Sequence, residues 1–72
     1  MTRGEVQTEV DRTPFLPFRL HLVSGKTLDV RQAHEAWMLR HSVLLIRRKP
    51  SGGESENIVS FFNIERLERL ER

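Results

Sequence analysis

The chain has no cysteine among its 72 residues, which excludes disulfide bonds and zinc sites built on thiolates. It also lacks a long hydrophobic run, since a run such as residues 43–46 is far too short to cross a bilayer. The first twelve residues, MTRGEVQTEVDR, contain no apolar segment of signal-peptide length. These absences predict a protein without a membrane span or a secretory leader, and they favour the cytoplasm as its location.

Sequence patterns of catalytic and cofactor-binding sites are missing as well. There is no glycine-rich phosphate loop, nucleophile elbow or paired-carboxylate constellation, and Gly52-Gly53 lies in a polar linker. The three histidines, His21, His34 and His41, do not have the spacing of metal ligands. Solvated or hydrogen-bonded structural histidine is the expectation for each. We therefore predict no enzyme activity, no cofactor and no metal site.

The length of the chain allows one domain. A chain this short buries about 60% of the surface that its unfolded form exposes, so its stability is expected to be a few kcal/mol. The charge is uneven along the chain: residues 32–50 contain four basic and one acidic side chain, a net charge of +3, whereas residues 51–72 contain five acidic and three basic ones, a net charge of −2. The excess of positive charge is therefore central.

The most regular pattern lies in residues 18–31, where apolar and polar side chains alternate on both sides of Ser24-Gly25, as in a β-hairpin. A two-residue loop would place apolar residues opposite polar ones. A three-residue loop, residues 23–25 with Gly25 in the left-handed region, gives a matched register. The predicted pairs are Phe18 with Val30, Arg19 with Asp29, and Leu20 with Leu28.

The remaining segments are less regular. Residues 32–39, QAHEAWML, predict a short helical turn or loop that leads into an extended segment. Residues 43–48 predict a strand that pairs with residues 58–64, and residues 50–57, PSGGESEN, predict a mobile connection between them.

The C-terminal residues 64–72 fit either a closing strand with Leu67 inside or a helical turn. Both readings stay open. We expect residues 1–13 to be disordered and residues 14–72 to form a single small β domain. The predicted fold class is mainly β: a small antiparallel β-barrel or bent sheet of four to five strands with a short helical turn.

The segment PFLPFRLHLVSGKTLDV, followed by a tryptophan segment, a hydrophobic strand and a closing SFFNIERLE, resembles the layout of a family of small uncharacterised bacterial proteins. The likeness covers about residues 13–69. It implies a shared fold and carries no activity.

The stretches HLVSGKTLDV and VSFFNIERL also resemble the two sequence motifs of Sm-like small barrels, including the Hfq type. This resemblance implies a barrel topology. The Asp-x-x-Met-Asn segment and the Arg-Gly pair of the usual pattern are missing, and Phe61 and Phe62 stand in place of the latter. The residues that would bind uridine are therefore absent.

The central basic residues are one candidate binding surface. Nucleic-acid binding requires positive charge to neutralise phosphates and exposed aromatics to stack bases. The alternative is a solvated strand end that discourages edge pairing. The candidate contacts for nucleic acid are Arg40, Arg47, Arg48 and Lys49, with His41 beside them.

Trp37 and Met38 are the candidate contacts for a protein, with a core lid over one end of a barrel as the alternative. The expected function is that of a non-enzymatic protein-interaction module, which binds a protein partner or a second copy of itself as a homodimer. The alternative function is that of a nucleic-acid-binding small barrel. No membrane partner is expected.

Overall fold

Six strands and one helix make up most of residues 1–70, the part of the chain that this computed structural model describes. The helix is α1 (Arg3–Val10), and 3₁₀ turns lie at Ala33–Glu35 and Phe61–Asn63. The strands are β1 (Phe18–Leu22), β2 (Thr27–Val30), β3 (Ala36–Met38), β4 (Ser42–Arg48), β5 (Glu54–Ser60) and β6 (Ile64–Arg69).

The strands form two antiparallel three-stranded sheets, in the orders β2-β1-β6 and β3-β4-β5. The predicted mainly β class is confirmed, but four to five strands was wrong, and the six strands within residues 1–70 do not close into a barrel. The physical reason is the 3₁₀ turn that follows each hairpin, because it redirects the chain to the other sheet. β3 thus pairs with β4, and β6 with β1.

The two halves of the chain repeat one order of elements: a hairpin, a 3₁₀ turn and a third strand that pairs with the hairpin of the other half. Both hairpin turns have the same hydrogen bonds. Leu22 N donates to the Lys26 carbonyl and Gly25 N to that of Leu22, just as Lys49 N donates to the Gly53 carbonyl and Gly52 N to that of Lys49. Gly25 and Gly52 both have positive φ, at 97° and 104°.

The register of the first hairpin is confirmed. Phe18 pairs with Val30, Arg19 with Asp29 and Leu20 with Leu28, around a loop of residues 23–25. The match of apolar with apolar residues therefore determined the loop length, as the two-residue periodicity of a strand requires.

Replacing Gly25 by valine is expected to lower the free energy of unfolding by about 1–2 kcal/mol, because a β-branched residue is disfavoured at positive φ. The space around a Cβ atom at this position is open, so the cost is that of the backbone alone. Urea denaturation measures it. Gly4→Ala in α1 is the control, and should stabilise the chain by about 0.5–1 kcal/mol. Equal stability of wild type and Gly25→Val would contradict the assigned turn.

The second hairpin differs from the prediction at both ends of its second strand. Residues 58–64 were predicted as that strand, but it ends at Ser60, residues 61–63 form a 3₁₀ turn and Ile64 begins β6. β4 pairs with β5 from Ser42–Ser60 to Arg48–Glu54, so the strand begins at Glu54. Residues 54–57, predicted as part of a mobile connection, are therefore strand, and the turn is confined to residues 49–53. The pairing with β4 overrides the low β-propensity of these polar residues.

The last two segments follow the predicted order. Residues 32–39 form a 3₁₀ turn and then β3, as expected. The C-terminal segment is a strand, β6, with Leu67 partly buried against the core. Its last two residues, 71 and 72, lie outside the described part of the chain.

The core lies between the two sheets and is closed by the helix. Its buried residues are Val6, Phe18, Leu20, Val30, Val43, Leu45, Val59, Phe61 and Ile64. Among residues 1–70 no helix is of a length and apolarity that would span a membrane.

Where the sequence predicts disorder in residues 1–13, the structure has α1. The helix begins with a capping box: the Thr2 hydroxyl accepts from Glu5 N, and the Glu5 carboxylate accepts from Thr2 N. Val6 is completely buried in the core, and Arg69 donates two hydrogen bonds to the Glu9 carboxylate, of 3.1 and 2.9 Å. The cap and the buried valine together fix a segment that is otherwise polar.

Candidate functional site

The central strand of the β3-β4-β5 sheet is apolar on both of its sides. Along β4, Val43 and Leu45 point into the core, and Leu44 and Ile46 point the other way and are half-buried. A strand that is apolar on both sides is typical of a sheet covered on both sides. In this chain only the inner side is covered by described residues.

Three apolar side chains form a row across the outer side of this sheet. Trp37 on β3 pairs with Leu44 on β4, and Leu44 pairs with Ile58 on β5. The exposed fraction is 58% for Trp37 and 70% for Ile58. We call Trp37, Leu44 and Ile58 the apolar row.

A groove of about 490 Å³ runs beside the apolar row, with Trp37 and Ile46 in its wall. The rest of its lining is polar, and both signs of charge are present. These polar residues are Gln32, His34, Glu35, Arg48 and Glu54. The arrangement is an apolar centre with a polar border, which is the usual anatomy of a protein-protein interface.

The outer face of the other sheet is quite different, because paired charges cover it. Arg19 lies between Asp29 and Glu68 in the register, and it donates two hydrogen bonds to the Asp29 carboxylate, of 2.7 and 3.2 Å. His21 Nε2 and Glu68 Oε1 are 2.9 Å apart. These charged side chains are well solvated by water. The apolar row therefore distinguishes the outer face of the β3-β4-β5 sheet from that of the β2-β1-β6 sheet.

The charges on this second face lower the pKa values of two carboxyl groups. The hydrogen bonds from Arg19 lower the pKa of the Asp29 carboxyl, and the charges of Arg19, Arg31 and Arg47 add to that effect. The hydrogen bond with His21 lowers the pKa of the Glu68 carboxyl. Both groups favour the charged state in the folded chain.

Acidification is expected to remove the stabilisation that Asp29 contributes. Because the folded-state pKa of Asp29 lies below its unfolded value, this contribution is complete above the unfolded pKa and is lost as the pH falls through the folded one. Asp29→Asn should therefore show a smaller loss of unfolding free energy between pH 5 and pH 2 (about the range of carboxyl titration) than wild type. Urea denaturation at a series of pH values measures this.

Glu65→Gln is the control, since Glu65 is exposed and forms no ion pair within residues 1–70. An Asp29→Asn curve with the full acid dependence of wild type would contradict the role given to the Arg19–Asp29 pair.

The structure does not bring the predicted nucleic-acid contacts together. Arg40 lies in the turn before β4, while Arg47 and Arg48 lie at the far end of that strand, about 20 Å away at ~3.3 Å per residue. Arg47 and Arg48 point to opposite sides of the sheet, and Arg48 is paired with Glu54 in the register. Lys49 lies in the turn that follows. The cluster in the sequence is thus several separate cations in the fold.

Arg40 and His41 have a different set of neighbours. Together with Arg3 they line a small pocket of about 250 Å³ at the start of α1, which also contains Phe62. Phe62 is 88% exposed. This pocket combines cations with one exposed aromatic ring, at the other end of β4 from Arg47 and Lys49.

The candidate protein contacts are separated in the same way. Trp37 is exposed on the outer side of β3, and Met38 is packed against the core. The core lid considered for Trp37 is therefore not what the structure shows.

Sequence reasoning missed Leu44, Ile46 and Ile58 as surface residues. The run SVLLI was the available signal, because consecutive apolar residues in a strand occupy both faces.

The histidines are also dispersed: His21 is on β1, His34 in the first 3₁₀ turn and His41 in the turn before β4. No group of three metal-ligating side chains is found in the part of the chain that the structure describes.

Comparisons with protein-family models, curated proteins and solved structures give no match.

Proposed function

We propose that the chain is a non-enzymatic protein-interaction module of the cytoplasm, and that it binds its partner through the outer side of the β3-β4-β5 sheet. The observation that carries this proposal is the apolar row, which crosses all three strands and is exposed at Trp37 and Ile58. Monomeric proteins seldom expose contiguous apolar patches beyond a few hundred Å², and such patches mark interaction sites.

The composition of this surface supports a protein as the partner. Tryptophan is enriched among the residues that dominate the binding energy at interfaces. Such residues contribute most where water is excluded from the contact. Here Trp37 lies between aliphatic neighbours and a groove whose border holds Arg48, Glu35 and Glu54. The mixed charges of that border would select a partner by complementary charges.

Nucleic-acid binding is the alternative function. The exposed cations are spread over both ends of β4, and the apolar row has aliphatic side chains where a stacking platform would need aromatic ones. The pocket of Arg3, Arg40, His41 and Phe62 brings cations and an exposed ring together at one end of β4. A single pocket of this size favours at most weak, non-specific binding.

Site-specific photo-crosslinking in living cells tests the proposal. A photoreactive amino acid is placed at position 37 in the apolar row or, as the control, at the exposed position 27 on the charged sheet. We expect a discrete protein adduct from position 37 and none from position 27. The same adducts from both positions, or no adduct from position 37, would contradict the proposal.

A second arm of this experiment addresses the alternative. Purified wild type is titrated with a mixed pool of labelled oligonucleotides and followed by fluorescence anisotropy. We expect no binding tighter than about 10⁻⁴–10⁻⁶ M near physiological salt, the range of non-specific binding. Sub-micromolar, sequence-selective binding that is lost when Arg47, Arg48 and Lys49 are replaced by glutamine would favour the nucleic-acid function instead.

A further inference from the structure

The outer edge of β5 has backbone groups that are free to pair with another strand. Lys49 N donates to the Gly53 carbonyl and Phe61 N to that of His41, at the two ends of the β4-β5 ladder. Because the peptide groups of an antiparallel strand alternate in direction, the odd-numbered residues between them bond to β4. The peptide groups that face outward are therefore those of Glu54, Glu56, Ile58 and Ser60.

β5 is also the longest and least covered of the four edge strands. β3 has three residues, and α1 packs beside it, with Arg3 Nε donating to the Leu39 carbonyl at 2.9 Å. β6 is tied to the same helix through Arg69 and Glu9. β2 has four residues, whereas β5 has seven and no described strand on its outer side.

A cleft of about 370 Å³ lies along this edge, between the loop of the first hairpin and β5. Four aliphatic side chains line it, and two of these are exposed: Val23 from the loop at 67% and Ile58 from the strand at 70%. A strand added to β5 would enter this cleft and cover both.

We propose that the added strand is β5 of a second copy of this chain, paired antiparallel about a two-fold axis at Ile58. In this register Ile58 faces Ile58 of the second copy, and Glu56 faces Ser60. The apolar side chains therefore meet across the junction, and each of these glutamates faces a neutral residue. Axes at residues 55, 56 or 57 would place glutamates opposite or diagonal to each other, which is unfavourable. The Ile58 axis avoids this and still pairs residues 56–60 of each strand.

This pairing gives an isologous dimer with a continuous six-stranded sheet. The apolar row of one protomer meets that of its partner at Ile58, so the row doubles in length with a tryptophan at each end. The inference rests on the proposed function, since it makes the dimer the form of the module that presents the row.

The natural absence of cysteine allows a direct test of the axis. In the purified full chain, Ile58→Cys is exposed to a mild oxidant and analysed on a non-reducing gel. The two Cα atoms of a hydrogen-bonded antiparallel pair lie about 5.5 Å apart, within the range of a disulfide. We expect rapid, nearly complete conversion to a covalent dimer.

Glu56→Cys is the matched control, because the two residues 56 would lie about 13 Å apart, four residues along the paired strands. It should remain a monomer on the same gel. Efficient crosslinking of Glu56→Cys, or none of Ile58→Cys, would overturn the proposed axis.

Proline at position 58 tests the dimer without a crosslink. The Ile58 N–H faces away from β4, so Ile58→Pro removes a donor only from the free edge and the fold is retained. We expect wild type to have the mass of two 8.5 kDa chains by light scattering, and Ile58→Pro the mass of one, with an unchanged circular dichroism spectrum. Thr27→Pro, on the free edge of β2, is the control and should stay dimeric.

A wild-type mass of one chain at all concentrations would overturn the inference. The proposed function is tested separately, by the crosslink at position 37, and it fails if no protein adduct forms there. A protein adduct at position 37 in a wild type that has the mass of one chain would support the module and exclude the dimer. A wild-type dimer without any adduct at position 37 would support the dimer and exclude the module.

Discussion

Replacing Leu20 by alanine is expected to lower the free energy of unfolding by about 2–5 kcal/mol, the cost of a large-to-small change in a packed core. Leu20 is fully buried in the central strand of its sheet, and it is paired with Leu28 on one side and Leu67 on the other. A domain of 72 residues has only a few kcal/mol of stability. Much of the variant should therefore be unfolded at 25 °C, as measured by circular dichroism and urea denaturation.

Val23→Ala is the control for Leu20→Ala, because it also shortens an aliphatic side chain in the same hairpin but at an exposed position. Its stability should lie within about 0.5 kcal/mol of wild type. If the Leu20→Ala variant unfolds like wild type, the inward face assigned to β1 is wrong.

Introducing a carboxylate at position 6 is expected to have the second largest effect. Val6 is completely buried, and an unpaired charge cannot be buried at reasonable cost. Val6→Asp should therefore release α1 from the sheets and lower the free energy of unfolding by about 1.5–3 kcal/mol, the value of burying one aliphatic side chain. Limited proteolysis should show early cleavage within residues 1–12.

Thr8→Asp provides the comparison, since it places the same residue on the exposed side of the same helix. Its cost is that of helix propensity and of one exposed hydrogen bond, from the Thr8 hydroxyl to the Gly4 carbonyl, and should stay below about 1.5 kcal/mol. Equal protease resistance and equal stability for the two variants would mean that α1 does not contribute to the core.

The first hairpin could be predicted in detail because its information is local. Matching apolar with apolar residues across one turn, together with a glycine at the required position, leaves a single register. The N-terminal helix was missed for the opposite reason. Its core contacts are two valines, the buried Val6 and the partly buried Val10, in a polar segment, and the Thr2–Glu5 capping box was the signal that marked its start.

The strand count and the start of β5 depend on long-range pairing. Residues 54–57 have the composition of a loop, and they become a strand because β4 continues to Arg48 and offers them a partner. Such a choice is made by tertiary context and not by propensity. The exchange of β3 and β6 between the sheets is likewise absent from any local pattern.

The apolar row depends on two strand registers, that of β3 with β4 and that of β4 with β5. Trp37, Leu44 and Ile58 lie in separate segments, and they become neighbours only when β3 and β5 pair with opposite sides of β4. The sequence alone offered Trp37 as a candidate contact beside Met38, but alternation along β3 separates these two residues. Charge along the chain was misleading in a similar way, because consecutive arginines on a strand point in opposite directions.

Acrylamide quenching of tryptophan fluorescence tests the central claim, that an apolar row is presented to solvent on the β3-β4-β5 sheet. Trp37 is the single tryptophan of a chain that has no tyrosine, so the signal reports this one side chain. In the folded, purified protein we expect a quenching constant at least half of that measured in the same chain unfolded in urea, and independent of dimer formation. A folded chain in which Trp37 is almost fully protected from acrylamide would show that this side chain is part of the core, and the proposed contact surface would not exist.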